Sequence, residues 1–172
     1  MDLQGKKVVV LVDELYQELE VWCPYYSLRQ SGCQTFLAGR EKRAYLGKYG
    51  YPCTPELLFK DLKETDFDCV VIPGGYAPDK LRRYPEVLEF VRQMFESGKV
   101  VAAICHGLWV PVSAGILEGR KCTCFGGIKD DVINAGALYS DAEVVVDGKL
   151  VSSRKPGDLP AFCREIIRLL EK

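Results

Sequence analysis

Histidine is almost missing from this chain: His106 is the only one among 172 residues. That scarcity removes most metal chemistry. The one close cysteine pair, Cys122-Thr123-Cys124, has neither a second pair nor histidines at ligand spacing, so no zinc site is expected. A surplus of charge is missing too. The formal net charge of −1 gives no electrostatic reason for a nucleic-acid or membrane partner. No uninterrupted apolar run approaches the roughly 20 residues that cross a bilayer. The opening "MDLQGKKVVVLV" has a basic pair and an apolar run, but Asp13 and Glu14 follow directly with no small-residue cleavage site. It reads as a first strand and not as a signal peptide.

Cysteine, by contrast, is plentiful, at positions 23, 33, 53, 69, 105, 122, 124 and 163. Disulfide frameworks belong to small, secreted, loop-rich chains with regular spacings. Here the spacings are irregular and most cysteines sit inside apolar stretches. They read as buried, reduced thiols of a cytoplasmic protein.

The segments alternate in type. "KVVVLV" (7–12), "DCVVIPGG" (68–75) and "KVVAAI" (99–104) are short β-branched apolar runs, as strands buried on both faces require. Between them, 18–31 and 84–97 carry helical spacing. The first closes at Ser31-Gly32, and the second has Pro85 in its first turn and Gly98 beyond its end. "CQTFLAG" predicts a second strand, and 40–65 a hairpin or an excursion from the sheet. Shorter strands are expected at 121–124, 143–147 and 149–153, the last two joined by Asp147-Gly148, before a final helix over 158–171. Such alternation predicts an α/β sandwich with a mostly parallel sheet covered on both faces, in one domain spanning 1–172.

In open α/β sheets, ligands gather where strands end and helices begin. Two such ends stand out. In "VVIPGGYAPD", Gly74 and Gly75 let the backbone approach a ligand closely. In "AAICHG", Cys105 sits at a sharp strand-to-helix turn, where a helix N-terminus favours thiolate, the nucleophilic form. A depressed Cys105 pKa is therefore expected, with His106 beside it. Asp130 and Asp131 read as solvated or helix-capping acids, and Trp22, Tyr25 and Tyr26 as core or interface aromatics. Arg154 lies in a loop where a structural role and a place near a pocket are both open.

Four stretches in order, "VIPGGYAPDKLRRYPEVLEFV", "AAICHGLWVPVSAGILEGRKCT", "GIKDDVINAGA" and "AEVVVDGKLVSSRKPGDLPAFCREII", resemble the PfpI branch of the ThiJ/PfpI superfamily from about residue 7 to 170. The resemblance implies a flavodoxin-like, class I glutamine amidotransferase-like three-layer sandwich. It implies a cysteine nucleophile at Cys105 with His106 as its neighbour, and an acid at Asp79 contributed by an adjacent subunit. The backbone N–H groups of Gly75 and His106 match the family's oxyanion hole, with Gly74 beside them. It also implies self-association, as a homodimer or a hexamer built from three dimers, and no cofactor. The family usually places a glutamate beside the sulfur, on the segment after the first strand. Aligned without gaps, "LYQELEV" puts Gln17 there, with Glu18 and Glu20 nearby, and Phe125 replaces a frequent tyrosine. The implied activity is a cysteine-dependent hydrolase, an intracellular peptidase or a deglycase or glyoxalase. Its substrates would be peptides, glycated proteins or small carbonyl compounds. A rival reading is a redox-responsive stress protein whose Cys105 is oxidised with little turnover.

Overall fold

The structure is a computed structural model that describes residues 3–171, so Met1, Asp2 and Lys172 of the expected domain lie outside it. The apolar run at the start forms β1 (Lys7–Leu11), whose last four residues are buried, as a strand covered on both faces requires. α1 (Glu18–Gln30) follows, then β2 (Gln34–Gly39). The irregular stretch after it is a small antiparallel hairpin, β3 (Tyr45–Leu46) with β4 (Pro52–Cys53), before the two-residue β5 (Leu57–Leu58). β6 (Cys69–Ile72) leads into a short helix that the sequence pattern did not reveal, α2 (Ala77–Leu81), and then α3 (Pro85–Glu96). β7 (Val100–Ile104) ends in a single 3₁₀ turn, Cys105–Leu108, that runs into α4 (Trp109–Ala114). β8 (Lys121–Cys122), α5 (Lys129–Asn134) and β9 (Leu138–Tyr139) form an outlying unit in which β8 pairs with β9 and stays off the main sheet. β10 (Val144–Asp147) and β11 (Leu150–Ser153) form the expected hairpin, and α6 (Leu159–Leu170) closes the fold.

Seven strands make the central sheet in the order β10-β11-β7-β6-β1-β2-β5. All neighbours are parallel except β10 against β11. The five long parallel strands, numbered among themselves, run 2-1-3-4-5, the flavodoxin-like order. α1 and α6 cover one face, packing Val21, Leu28, Phe162 and Ile166 over Val8, Val10 and Ala102. α3 and α4 cover the other, with Phe90, Met94 and Val110 over Val9, Val70 and Val101. A parallel strand buried on both sides has no polar face to give up. That is why these strands read as continuous Val/Ile/Ala runs.

This order sets the site. β1, β6 and β7 are neighbours, so the loops leaving their C-terminal ends converge.

Candidate active site

Three loops meet at one point. The loop after β1 crosses the loop after β6 in an isolated bridge between Tyr16 and Gly75. The Gln17 N–H donates to the Gly74 carbonyl at 3.1 Å, and the Tyr76 N–H to the Leu15 carbonyl at 2.9 Å. Glycine is required at both central positions. Gly75 has φ +82°, and a Cβ there would stand 2.5 Å from the Gln17 nitrogen and the Leu15 oxygen. A Cβ on Gly74 would lie 2.5 Å from Glu20 Oε2 and 2.8 Å from Cys105 Cβ. Only a hydrogen at position 74 lets carboxyl, sulfur and backbone share this space.

Cys105 sits at the elbow between β7 and its 3₁₀ turn with φ +62°. A left-handed conformation costs a non-glycine residue roughly 1–2 kcal/mol, so the packing around it must hold it there. The sulfur is buried and receives the backbone N–H groups of His106 and Gly75. The two glycines and the Cys-His pair therefore lie together at one point.

The acid beside the sulfur is Glu20, and this corrects the sequence reading. Gln17 lines the pocket, but its side-chain oxygen accepts the Glu20 N–H at 3.0 Å and caps the N-terminus of α1. Glu20, three residues on, is fully buried, accepts the Gly74 N–H at 2.7 Å through Oε2, and contacts the Cys105 thiol. Residues three apart share a helix face, whereas adjacent ones point about 100° apart. The signal was thus present in "QELE", but the gapless alignment gave the glutamate's place to Gln17, one turn too early.

The ionisation of the pair also differs from expectation. Burial pushes the Cys105 thiol up to about 12; the Glu20 charge adds to the rise, and the His106 and Gly75 amides oppose it. The turn after Cys105 is one 3₁₀ turn ahead of a six-residue helix, too little dipole to outweigh desolvation. Burial likewise lifts Glu20 to about 7, offset by the Gly74 N–H, the thiol and Lys48. The two groups compete for one proton. When Glu20 holds it, the like-charge penalty on the thiolate disappears and the acid donates to sulfur.

His106 Nδ1 lies 3.4 Å from the sulfur. Its ring stacks on Phe125 with centroids 4.8 Å apart and meets the edge of Trp109 at 5.2 Å. Burial, then Lys48, lowers its pKa, so it is neutral at physiological pH. Asp79 is not brought to His106 within the chain: it is exposed on α2 and pairs with Arg83 at 3.1 Å. Arg154 holds the nearby loop, reaching Asp158 through Nε at 2.9 Å and Asp141 through Nη1 at 2.7 Å. Asp131 accepts the Trp109 indole N–H at 2.7 Å, while Tyr25 is buried and Tyr26 exposed.

These groups surround a pocket of about 400 Å³ walled by Lys48, Tyr49, Tyr76, Phe125, Lys155 and Pro156. A larger cleft of about 540 Å³ lies over Asp13, but its polar groups satisfy one another, with Tyr84 and Lys80 at 3.0 and 3.7 Å from the Asp13 carboxylate. No cluster of metal-ligating side chains occurs among the described residues.

Residues 6–169 match the DJ-1/PfpI family. The chain belongs to that family. Similar members include "Deglycase PfpI" of Pyrococcus furiosus, 44% identical over 165 residues that make up 96% of this chain and 99% of the relative. "Putative cysteine protease YraA" of Bacillus subtilis is 38% identical over 168 residues, 97% and 99% of the two chains. Among solved structures, a two-domain protein of Anabaena variabilis with DJ-1/ThiJ/PfpI-like and ferritin-like domains superposes with a TM-score of 0.95 at 40% identity. That match covers 97% of this chain and 48% of the other, so this chain spans about half of the two-domain protein. For a DJ-1/PfpI chain, the α/β fold with its mostly parallel sheet is the expected frame.

Proposed function

We propose that this DJ-1/PfpI member is a cysteine-dependent enzyme of deglycase or glyoxalase type, with Cys105 as nucleophile and Glu20 as its acid–base partner. The observation that carries the reading is the buried Glu20 carboxyl in contact with the Cys105 thiol, beside two backbone N–H groups, in an open pocket. Glu20 takes the thiol proton as the sulfur adds to a substrate carbonyl, and returns it to the new alkoxide, giving a neutral thiohemiacetal. The Gly75 and His106 N–H groups stabilise the negative charge in transit. The names of relatives, deglycase and putative cysteine protease, fit one attack on two kinds of carbonyl. The peptidase form needs His106 oriented by an acid, which we assign to Asp79 of a neighbouring copy.

Self-association is part of this reading. Leu19, Tyr26, Leu46, Tyr49 and Tyr51 are exposed, and Tyr26 and Tyr51 each pack on Trp22 with ring centroids 5.8 Å apart. This apolar face joins α1 to the β3–β4 hairpin, and Tyr49 also lines the pocket. We assign it to a second copy of the chain. No helix among the described residues is long and apolar enough to cross a membrane. The cytoplasmic assignment rests on the irregular, unpaired cysteines.

Lactate released from methylglyoxal by the purified protein tests the activity. Turnover is expected, lost in Cys105→Ser and lowered about 10²–10⁴-fold in Glu20→Gln. Turnover that survives Cys105→Ser overturns the assignment. Peroxide oxidation confined to Cys105 with no turnover of methylglyoxal or glycated peptides would support the redox reading instead.

A further inference from the structure

Away from the pocket, two other cysteines face each other across a helix pair. Cys23 lies on α1 and Cys163 on α6, and both line one groove of about 500 Å³ with Ser27, Leu159, Pro160 and Ile167. Ser27 is one turn beyond Cys23 on the same face of α1, and the Cys163 thiol interacts with both the Ser27 hydroxyl and the Cys23 thiol. Cys23 is partly exposed, whereas Cys33, Cys53, Cys69, Cys122 and Cys124 are buried in the core. Cys23 packs against the same core cluster to which Cys163 belongs. Two cysteines on helices packed against each other, both lining one open groove and one of them partly exposed, are placed as a reversible disulfide needs.

We propose that Cys23 and Cys163 form a redox-sensitive intrachain disulfide that staples α1 to α6 under peroxide stress. The Cys23 thiolate attacks hydrogen peroxide and becomes a sulfenic acid, releasing the first water once the leaving hydroxide takes up a proton. The Cys163 sulfur then attacks the sulfenic sulfur, expelling the second water as the S–S bond forms. Two thiols lose two electrons and two protons, and one peroxide becomes two waters. Cellular dithiols reverse the step by exchange. Cys23 is the more exposed of the two and Cys163 is buried, so peroxide reaches Cys23 first and Cys163 is left to resolve.

The staple bears on the site at both ends. α1 carries Gln17 and Glu20 at its start, and α6 follows directly on the segment that places Lys155 and Pro156 in the pocket wall. Linking the two helices ties together two segments that line the pocket while the oxidant also reaches Cys105. A bond closing so long a loop restrains the unfolded chain strongly, so a rise of several degrees in Tm is expected.

The test treats the full protein with a small excess of hydrogen peroxide, blocks remaining thiols, and maps peptides without reduction. The expected result is a cross-linked peptide pair containing Cys23 and Cys163, a mass loss of two hydrogens, and a raised Tm that dithiothreitol reverses. Cys23→Ser and Cys163→Ser each remove the cross-link and the Tm rise. The wild-type peptide map needs no variant to fold, so the proposal stands or falls on it alone. Oxygen added separately to either cysteine, a bond from either to a different cysteine or another chain, or two unchanged thiols once Cys105 is fully oxidised overturns it.

Discussion

Glu20 carries a proton at pH values where most carboxyls have lost theirs, and this has a thermodynamic signature. Its folded value of about 7 exceeds the ordinary 4.5, so the folded chain binds this proton more tightly than the unfolded one. The stability that this group contributes is full below about pH 4.5, declines as pH rises to about 7, and is flat above. The gap is worth on the order of 3 kcal/mol at 1.36 kcal/mol per pKa unit. Urea unfolding at pH 5 and pH 8 should show that decline in the wild type and lack it in Glu20→Gln. Equal declines in both proteins would mean that Glu20 titrates as an exposed carboxyl does. Gln17 should behave differently. Its loss in Gln17→Ala removes a helix cap, costing about 0.5–2 kcal/mol, while Cys105 keeps its alkylation rate with iodoacetamide. A large fall in that rate would give Gln17 a direct part at the sulfur.

Among the elements, the strands of the sheet were readable because burial on both faces leaves a plain mark in sequence. "KVVVLV" and "KVVAAI" fall on β1 and β7 within a residue, and "DCVVIPGG" contains β6, its Pro-Gly-Gly end forming the turn beyond the strand. What stayed hidden is short or paired at a distance. α2 is five residues containing Pro78 and follows two glycines, so no apolar period could develop. β5 contributes two residues to the sheet edge, and β8 found its partner in β9 across a whole helix. At the site, the Cys-His elbow and the glycine pair were legible because a turn demands particular residues. Which of several carboxyls would point at the sulfur depended on helix phase, settled only by the cap at Gln17. The crossing of the loops after β1 and β6 predicts a sharp effect of Gly75→Ala. Its φ of +82° and the 2.5 Å approach to Gln17 and Leu15 backbone atoms leave no room for a methyl group. The loop must shift, taking its N–H away from the sulfur. Lower stability and slower Cys105 alkylation are expected together; an unchanged alkylation rate would show that the amide is not needed.

For the whole molecule, the proposed assembly through the exposed aromatic face beside the pocket would tie activity to the oligomer. Tyr26→Glu together with Leu19→Glu should shift the protein to monomers in sedimentation velocity, with little change in far-UV circular dichroism. A double variant that sediments like wild type would place the interface elsewhere. If Asp79 serves a neighbour's His106, Asp79→Ala should lower peptidase turnover, and subunit exchange with Cys105→Ala should restore part of it. No recovery despite demonstrated exchange would confine Asp79 to its own chain or remove it from the chemistry.

The covering of one sheet face by α1 and α6 has a consequence for biosynthesis. As the chain leaves the ribosome, β1 and α1 emerge well before α6, which packs into the same cluster as Val21 and Leu28. β1 must also wait for β6, beyond β2 and the whole hairpin excursion, before its second edge is paired. Until β6 and α6 follow, the nascent protein therefore shows an apolar helix face and an open strand edge. Those are the features that holdase chaperones bind and that aggregation exploits.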